Sequence, residues 1–239
     1  MNKTTFFITS LFAVSVSFAQ QAKLNQLDAQ GKRHGQWKGM YEGTTHPRYE
    51  GTFDHGKETG TFKFYTNTDK PLLKATRVFA KDGSCITTFF DEKGSKVSEG
   101  KEVNHKQEGE WKYYHSAGKA IMALEFYKDG KLSGKRKVFY PDGAVAEESN
   151  YVNGIKEGGY KKFNEKGIVL EEATYVNGTY NGKVTFRDDA GNVASEGMYK
   201  DNLKTGIWKF YENGKLVKQQ DMDGKKVAVP QQEKTSGTN

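Results

Sequence analysis

From residue 31 to residue 224, apolar and polar positions alternate in short runs, as in Trp111-Lys112-Tyr113, Val184-Thr185-Phe186 and Trp208-Lys209-Phe210. A period of two puts one side chain in a core and the next in water, the pattern of a half-exposed strand. No long apolar stripe of helical period interrupts it. The runs are separated by Asp129-Gly130, Asp142-Gly143, Asn153-Gly154, Asn177-Gly178 and Asn213-Gly214. These pairs accept positive φ and are the strongest short signal for a hairpin reversal. Two strands and two reversals fill about 24 residues, so a helix of about ten residues does not also fit. The pattern predicts an all-β chain: an elongated repeat of about eight stacked β-hairpins of period 24–25, forming one twisted antiparallel sheet.

The period is visible in several columns. A glycine followed two residues later by an aromatic occurs at Gly35-Gln-Trp37, Gly60-Thr-Phe62, Gly109-Glu-Trp111, Gly158-Gly-Tyr160 and Gly206-Ile-Trp208. Gly134 and Gly182 hold the same slot, with Arg136 and Val184 at the aromatic place. The intervals are 25, 49, 25, 24, 24 and 24; the double step has its midpoint at Ser84-Cys85, where a unit has lost its leading glycine. These seven glycines are read as repeat turn residues. Four residues before six of them comes a further turn residue: Gly31, Gly56, Gly130, Gly154, Gly178 or Asn202. Nine residues after come Gly118, Gly143, Gly167 and Gly191; fourteen after come Glu148, Glu172 and Glu196, with Glu99 matching in the degenerate unit. Seventeen after come Tyr151, Tyr175 and Tyr199, with Phe126 assigned to the same slot. The units run approximately 31–55, 56–80, 81–104, 105–129, 130–153, 154–177, 178–201 and 202–224. One hairpin alone is marginal in water, and stacking supplies its missing neighbours. Sixteen strands about 4.8 Å apart make a twisted sheet on the order of 75 Å long.

The ends differ from the repeat. Residues 1–19 carry one charge, Lys3, then an apolar stretch from Phe6 to about Val16 and the small residues Ser17 and Ala19. This reads as a signal peptide cleaved before Gln20, which predicts export to the periplasm or beyond. Residues 20–30 form a lead-in and 225–239 a polar tail without structure of its own.

Composition narrows the chemistry. The chain of 239 residues has 1 Cys and 4 Pro, which excludes a disulfide scaffold and a proline-rich linker. Thirty-seven basic against 30 acidic residues give +7, or +6 once Lys3 is removed. Only five of the basic residues are Arg, whereas phosphate readers lean on Arg forks, so nucleic acid is not expected as a partner. The five histidines, at 34, 46, 55, 105 and 115, show no metal-ligand spacing and are read as surface residues in turns, with no metal or cofactor predicted. The Glu column would recur about every 10 Å, too far for a retaining pair of catalytic carboxylates, and cross-strand pairing with Lys accounts for it. The glycine loops lead into strands and lack the Lys-Ser/Thr sequel of a phosphate loop. No catalytic residue and no small-molecule substrate are therefore predicted. Trp37, Trp111, Tyr113, Tyr151, Tyr175, Tyr199 and Trp208 are the candidate aromatics, either a hydrophobic spine between hairpins or an exposed binding strip.

Stretches such as YVNGIKEGGYKKFNEKGIVLEEATYVNG (151–178) and YKDNLKTGIWKFYENGKLVKQQ (199–220) resemble the variant MORN repeat and, more closely, the YwqK-family antitoxins. The resemblance extends over about 31–224, with departures at TTHPR (44–48), NTDKPLL (67–73) and the missing glycine near 85. It implies a β-hairpin repeat that binds proteins or membrane surfaces. With a signal peptide, an immunity-type role against a toxin acting in the envelope is compatible. The expectation is a non-enzymatic exported module that binds a protein partner. The alternative is peripheral attachment to anionic lipid headgroups or cell-wall polymer through Lys and aromatics.

Overall fold

The computed structural model describes residues 23–116 and 119–223. The signal peptide expected at 1–19, Gly118 and the tail at 225–239 lie outside the described residues. The described chain is a single antiparallel meander with no helix. A short strand, Gln26–Leu27, pairs with Arg33–Met40 and opens the sheet. Pairing then continues from neighbour to neighbour through Pro47–Asp54, Lys57–Tyr65, Leu73–Phe79, Cys85–Phe90 and Lys96–Val103. Next come Lys106–Tyr114, Ile121–Lys128, Lys131–Phe139 and Val145–Val152. Two strands follow in split form, Ile155–Lys156 with Gly158–Phe163 and Thr179–Tyr180 with Gly182–Arg187, separated by Val169–Val176. The sheet ends with Val193–Lys200, Leu203–Glu212 and Lys215–Asp221. With each split strand counted once and the short opening strand set aside, sixteen strands form the open sheet, as the period requires. The stretch 33–103 is as regularly stranded as the rest; TTHPR and NTDKPLL fall largely in the reversals between strands.

The two long edges favour different turns, with one exception on each: the single-glycine turn at Gly83 and the two-residue turn at Asn213-Gly214. Along one, both central residues have positive φ at His55-Gly56, Asn104-His105, Asp129-Gly130, Asn153-Gly154, Asn177-Gly178 and Asp201-Asn202. These are the mirror-image two-residue turns whose twist matches that of the strands. Along the other edge a single glycine takes positive φ, at Gly94, Gly143, Gly167 and Gly191. Its N–H donates to the carbonyl three residues back, as from Gly167 to Asn164 at 2.9 Å. Asp142-Gly143 is therefore not a positive-φ pair: only its glycine is left-handed, and the Asp142 carboxylate accepts the Ala144 N–H instead.

The glycines at 35, 60, 109, 134, 158, 182 and 206 are not in the reversals. Each has positive φ, between 61 and 111°, at or just inside a strand. At several of them three residues oppose one across the ladder: 60–62 face Gly51, 133–135 face Phe126 and 206–208 face Gly197. They are bulge residues, and a bulge with extra residues bends its strand and sharpens the local twist. The degenerate unit shows the consequence of losing the glycine: Leu73–Phe79 pairs with Cys85–Phe90 without a register shift. Across the ladder Gly35 faces Phe53, Gly109 faces Tyr127, Gly134 faces Tyr151, Gly158 faces Tyr175 and Gly182 faces Tyr199. In the unit 105–129 the aromatic slot thus belongs to Tyr127, and Phe126 points to the other face. A 25-residue unit has one residue more than its neighbours, which moves the column by one.

One face carries the core. Tyr49, Phe53 and Phe62 form a first buried cluster; Tyr160, Ala173, Tyr175, Val184, Tyr199, Trp208 and Met222 form a second. A single sheet has no second layer, so large rings are covered by lying flat across backbone. A Cβ added at Gly51 would lie 2.4 Å from Phe62, at Gly100 2.4 Å from Trp111, and at Gly197 2.3 Å from Trp208. Each ring occupies the space above a glycine on the neighbouring strand.

Candidate binding face

The candidate aromatics divide by burial. Trp111 and Trp208 are 1% and 0% exposed, and their indole N–H groups donate to the carbonyls of Lys101 and Met198. Tyr175 and Tyr199 are also buried, and burial pushes both phenols up to about 12. Tyr113 and Tyr151 are half-buried, as is Trp37, whose indole N–H donates to the Gln26 carbonyl at 3.1 Å. These rings form the spine of the sheet rather than an exposed strip.

The charged interior of the same face was foreshadowed only by Arg136 in an aromatic slot. Its guanidinium lies 2.8 Å from Glu125 and 3.0 Å from Glu147, bridging three strands between the two aromatic clusters. Arg77 and Glu102 pair at 3.2 Å beside the buried Cys85, whose thiol burial pushes up.

The opposite face is open. There the Glu column pairs across strands with Lys: Glu148 with Lys137 at 2.8 Å, Glu172 with Lys161 at 3.1 Å and Glu196 with Lys183 at 3.0 Å. Lys38–Glu50 at 3.1 Å and Lys96–Glu99 at 2.8 Å continue the row toward the N-terminus. The Lys161 hydrogen bond, opposed by partial burial, holds Glu172 below the usual carboxylate range. Glu196 is lowered in the same way by Lys183 and by the Tyr211 hydroxyl. A shallow groove of about 520 Å³ crosses this row. Its charged lining includes Lys135, Lys137, Lys161, Lys183 and Arg187 against Glu148 and Glu172. A Cβ at Gly159, on the groove floor, would meet nothing within 4 Å. Among the described residues, the buried Arg187 Nη1 has no hydrogen-bond partner, while Nη2 lies 3.6 Å from Glu172. Val78, Ile86, Phe126, Met198 and Ile207 stand exposed on the same face. It therefore offers both charge signs at strand spacing, with apolar side chains among them.

A third feature sits at the N-terminal end. His34, Asp54 and His55 place one ligand-type atom each within 4.8 Å of one another. His55 also approaches Asp28, Nδ1 to Oδ2, at 2.6 Å. The pairing that brings these residues together spans 21 and 27 positions of sequence and was not visible in local spacing.

The MORN repeat variant is found twice in the chain, at residues 132–153 and 204–223. Each match spans one hairpin, including both strands and the reversal between them. MORN repeats are a binding type of repeat, associated with membrane or protein partners, and not an enzyme class. No curated protein matches the chain.

Proposed function

We propose that this chain is an exported, non-enzymatic repeat module that binds a protein partner through the face opposite its aromatic spine. The observation that carries this reading is the mixed character of that face. Lys and Glu alternate across it, and exposed Val78, Ile86, Phe126, Met198 and Ile207 lie among them. Charge complementarity sets register and specificity, while apolar anchors supply affinity. A uniformly anionic lipid surface or wall polymer would be met better by a field of one sign. The spine is occupied with packing, which leaves the polar face as the surface free for a partner. An immunity-type role against an envelope-acting toxin is one instance of this reading.

The second reading, attachment to anionic headgroups or wall polymer, is favoured by the excess of cations along the groove. The two separate by salt, because attraction to a polyanion fades as ionic strength rises. The test is a pull-down from envelope extract with the chain from Gln20 as bait. A second bait carries Lys137→Glu, Lys161→Glu and Lys183→Glu, surface changes that spare the buried Trp111 and Trp208. One protein retained at low and moderate salt, and lost with the reversed bait, is the expected result. Retention of lipid or polymer alone, lost at moderate salt, would overturn the protein-binding reading.

A further inference from the structure

We propose that His34, Asp54 and His55 form a binding site for a divalent metal ion of the zinc class, with Asp28 as the outer carboxylate that orients His55. At the first position of the two-residue turns along this edge, the other five units have Asn104, Asp129, Asn153, Asn177 and Asp201; only this one has a histidine, His55. The residue before that turn is Val103, Lys128, Val152, Val176 or Lys200 elsewhere, and Asp54 here. The residue before the bulge glycine is Thr59, Glu108, Ser133, Glu157, Asn181 or Thr205 elsewhere, and His34 here. These columns meet in other units too, where Glu108 and Glu157 accept the N–H groups of Asp129 and Asn177, but only here do all three carry metal-ligand side chains.

The geometry is suited to an ion. His34 Nδ1 is 3.6 Å from Asp54 Oδ1, and His55 Nε2 is 3.8 Å from the same oxygen. Tetrahedral zinc with bonds of about 2.0–2.1 Å sets its ligand atoms about 3.3 Å apart. Small rotations of exposed side chains close that difference. His34 Nδ1 accepts a long hydrogen bond from the His55 backbone N–H at 3.4 Å, so this nitrogen is unprotonated, and an ion would displace that weak bond to take its lone pair. The two imidazole centroids are 4.7 Å apart.

Asp28 supplies the outer shell. Its Oδ2 takes the His55 Nδ1–H at 2.6 Å, so in the neutral imidazole the lone pair is on Nε2, which lies on the Asp54 side. Its Oδ1 is fixed by the N–H groups of Gln30 and Lys32 at 2.9 and 2.8 Å, and the side chain is only 7% exposed. A carboxylate behind a ligating imidazole is the usual means of fixing tautomer and ring orientation at zinc. Two imidazoles and one carboxylate suit zinc, copper or nickel rather than calcium or magnesium, which prefer oxygen. Bound there, the ion would tie the lead-in turn, strand Arg33–Met40 and the following turn together at the end of an open sheet. Solvent would complete the coordination.

The test is calorimetric titration of the full chain with ZnCl2, repeated in excess calcium. One ion per chain, undisturbed by calcium, is expected. His34→Ala and His55→Asn should each abolish it, and Asp28→Asn should weaken it about 10–100-fold. His55→Asn restores the residue type of the sister turns, so its thermal unfolding without metal should match that of the parent chain. A control with His46, His105 and His115 all changed to Ala should bind as the parent does. Zinc absorption spectroscopy on the parent chain should show nitrogen and oxygen neighbours, including two imidazoles. Binding that survives His34→Ala with His55→Asn, binding lost in the control, sulfur at the metal, or no binding by the parent chain would each overturn the proposal.

Discussion

The two aromatic clusters occupy the same face and the same repeat columns, yet they are filled differently. Around Phe62 the rings are mostly phenylalanine, packed edge to face with Phe53 at 5.1 Å and Phe79 at 5.6 Å. Cations cover them: Arg33 lies 5.1 Å from the centroids of both Trp37 and Phe53, and Arg77 lies 5.3 Å from that of Phe64. Around Trp208 the rings are mostly tyrosine, with Tyr175, Tyr180 and Tyr199 in a continuous row of tilted contacts. The Tyr180 hydroxyl donates to the buried carboxyl of Glu171, and Lys156 Nζ sits 4.4 Å from the centre of Tyr160. The scaffold asks of these columns only a flat ring that can lie over a neighbouring strand. Whether that ring carries a hydroxyl is left free, and with the hydroxyl comes a network of titratable groups.

The strongest way to break the comparison is to delete a ring in each cluster. Phe62→Ala and Trp208→Ala should each cost about 3–5 kcal/mol, the range for large buried aromatics. In a linear repeat each unit contacts only its neighbours, so the damage should remain local. Hydrogen exchange should show Phe62→Ala exposing amides of 33–65 while 169–221 stay protected, and Trp208→Ala the reverse. Exchange rising equally across both regions would mean that the sheet unfolds as one unit.

A smaller effect tests what the clusters share. Gly51→Ala and Gly197→Ala each push a methyl into a ring, at 2.4 and 2.3 Å, so each should cost about 1–3 kcal/mol in denaturant titrations. Equal costs would confirm that ring-over-glycine packing is independent of ring type. These glycines also mark what could be read from sequence. Period, strand alternation, turn pairs and the Lys–Glu row were legible because each is local or recurs at a fixed interval. The bulges were not, since a glycine needed for positive φ in a bulge looks like one needed in a turn. Once the bulges and one extra residue shift the register, the aromatic slot falls on Tyr127 and not on Phe126. The His34–Asp54–His55 group depends on cross-strand register as well, though the single departure from Asn or Asp at position 55 was a usable signal.

Acidity separates the clusters further. Burial raises the carboxyl of Glu171 and outweighs the Tyr180 hydrogen bond, which acts to lower it. Such a group binds its proton more tightly in the native chain, so its contribution to stability is present below the unfolded value and is lost as pH rises through the folded one. At Glu50, near the Phe cluster, burial is outweighed by hydrogen bonds from Lys38 and Tyr65, and the carboxyl is lowered. Its contribution is present above the unfolded value and is lost in acid. On moving up from pH 4.5, the local stability of 169–200 should therefore fall while that of 47–65 holds. Glu171→Gln should remove the fall. Hydrogen exchange at a series of pH values, corrected for intrinsic rates, measures both; a parallel response in the two regions would show that the Tyr–Glu network is not what distinguishes them.

The smallest expected effect lies on the face that neither cluster occupies. Lys161 is about half exposed and pairs with Glu172 at 3.1 Å. Exposed pairs of this kind are worth about 0–1 kcal/mol, since solvent screens them and ordering two long side chains opposes the gain. Lys161→Ala should leave the denaturation midpoint nearly unchanged, and Lys38→Ala, its counterpart beside the Phe cluster, should behave alike. Their effects on partner capture should differ, because Lys161 lines the larger groove with Arg187 and Gly159, while Lys38 lines a smaller one of about 390 Å³. Loss of capture with Lys161→Ala but not Lys38→Ala would place the partner over the Tyr-rich end. Loss with both would spread the contact along the whole row. Retention with both would move the binding surface off the Lys–Glu row altogether.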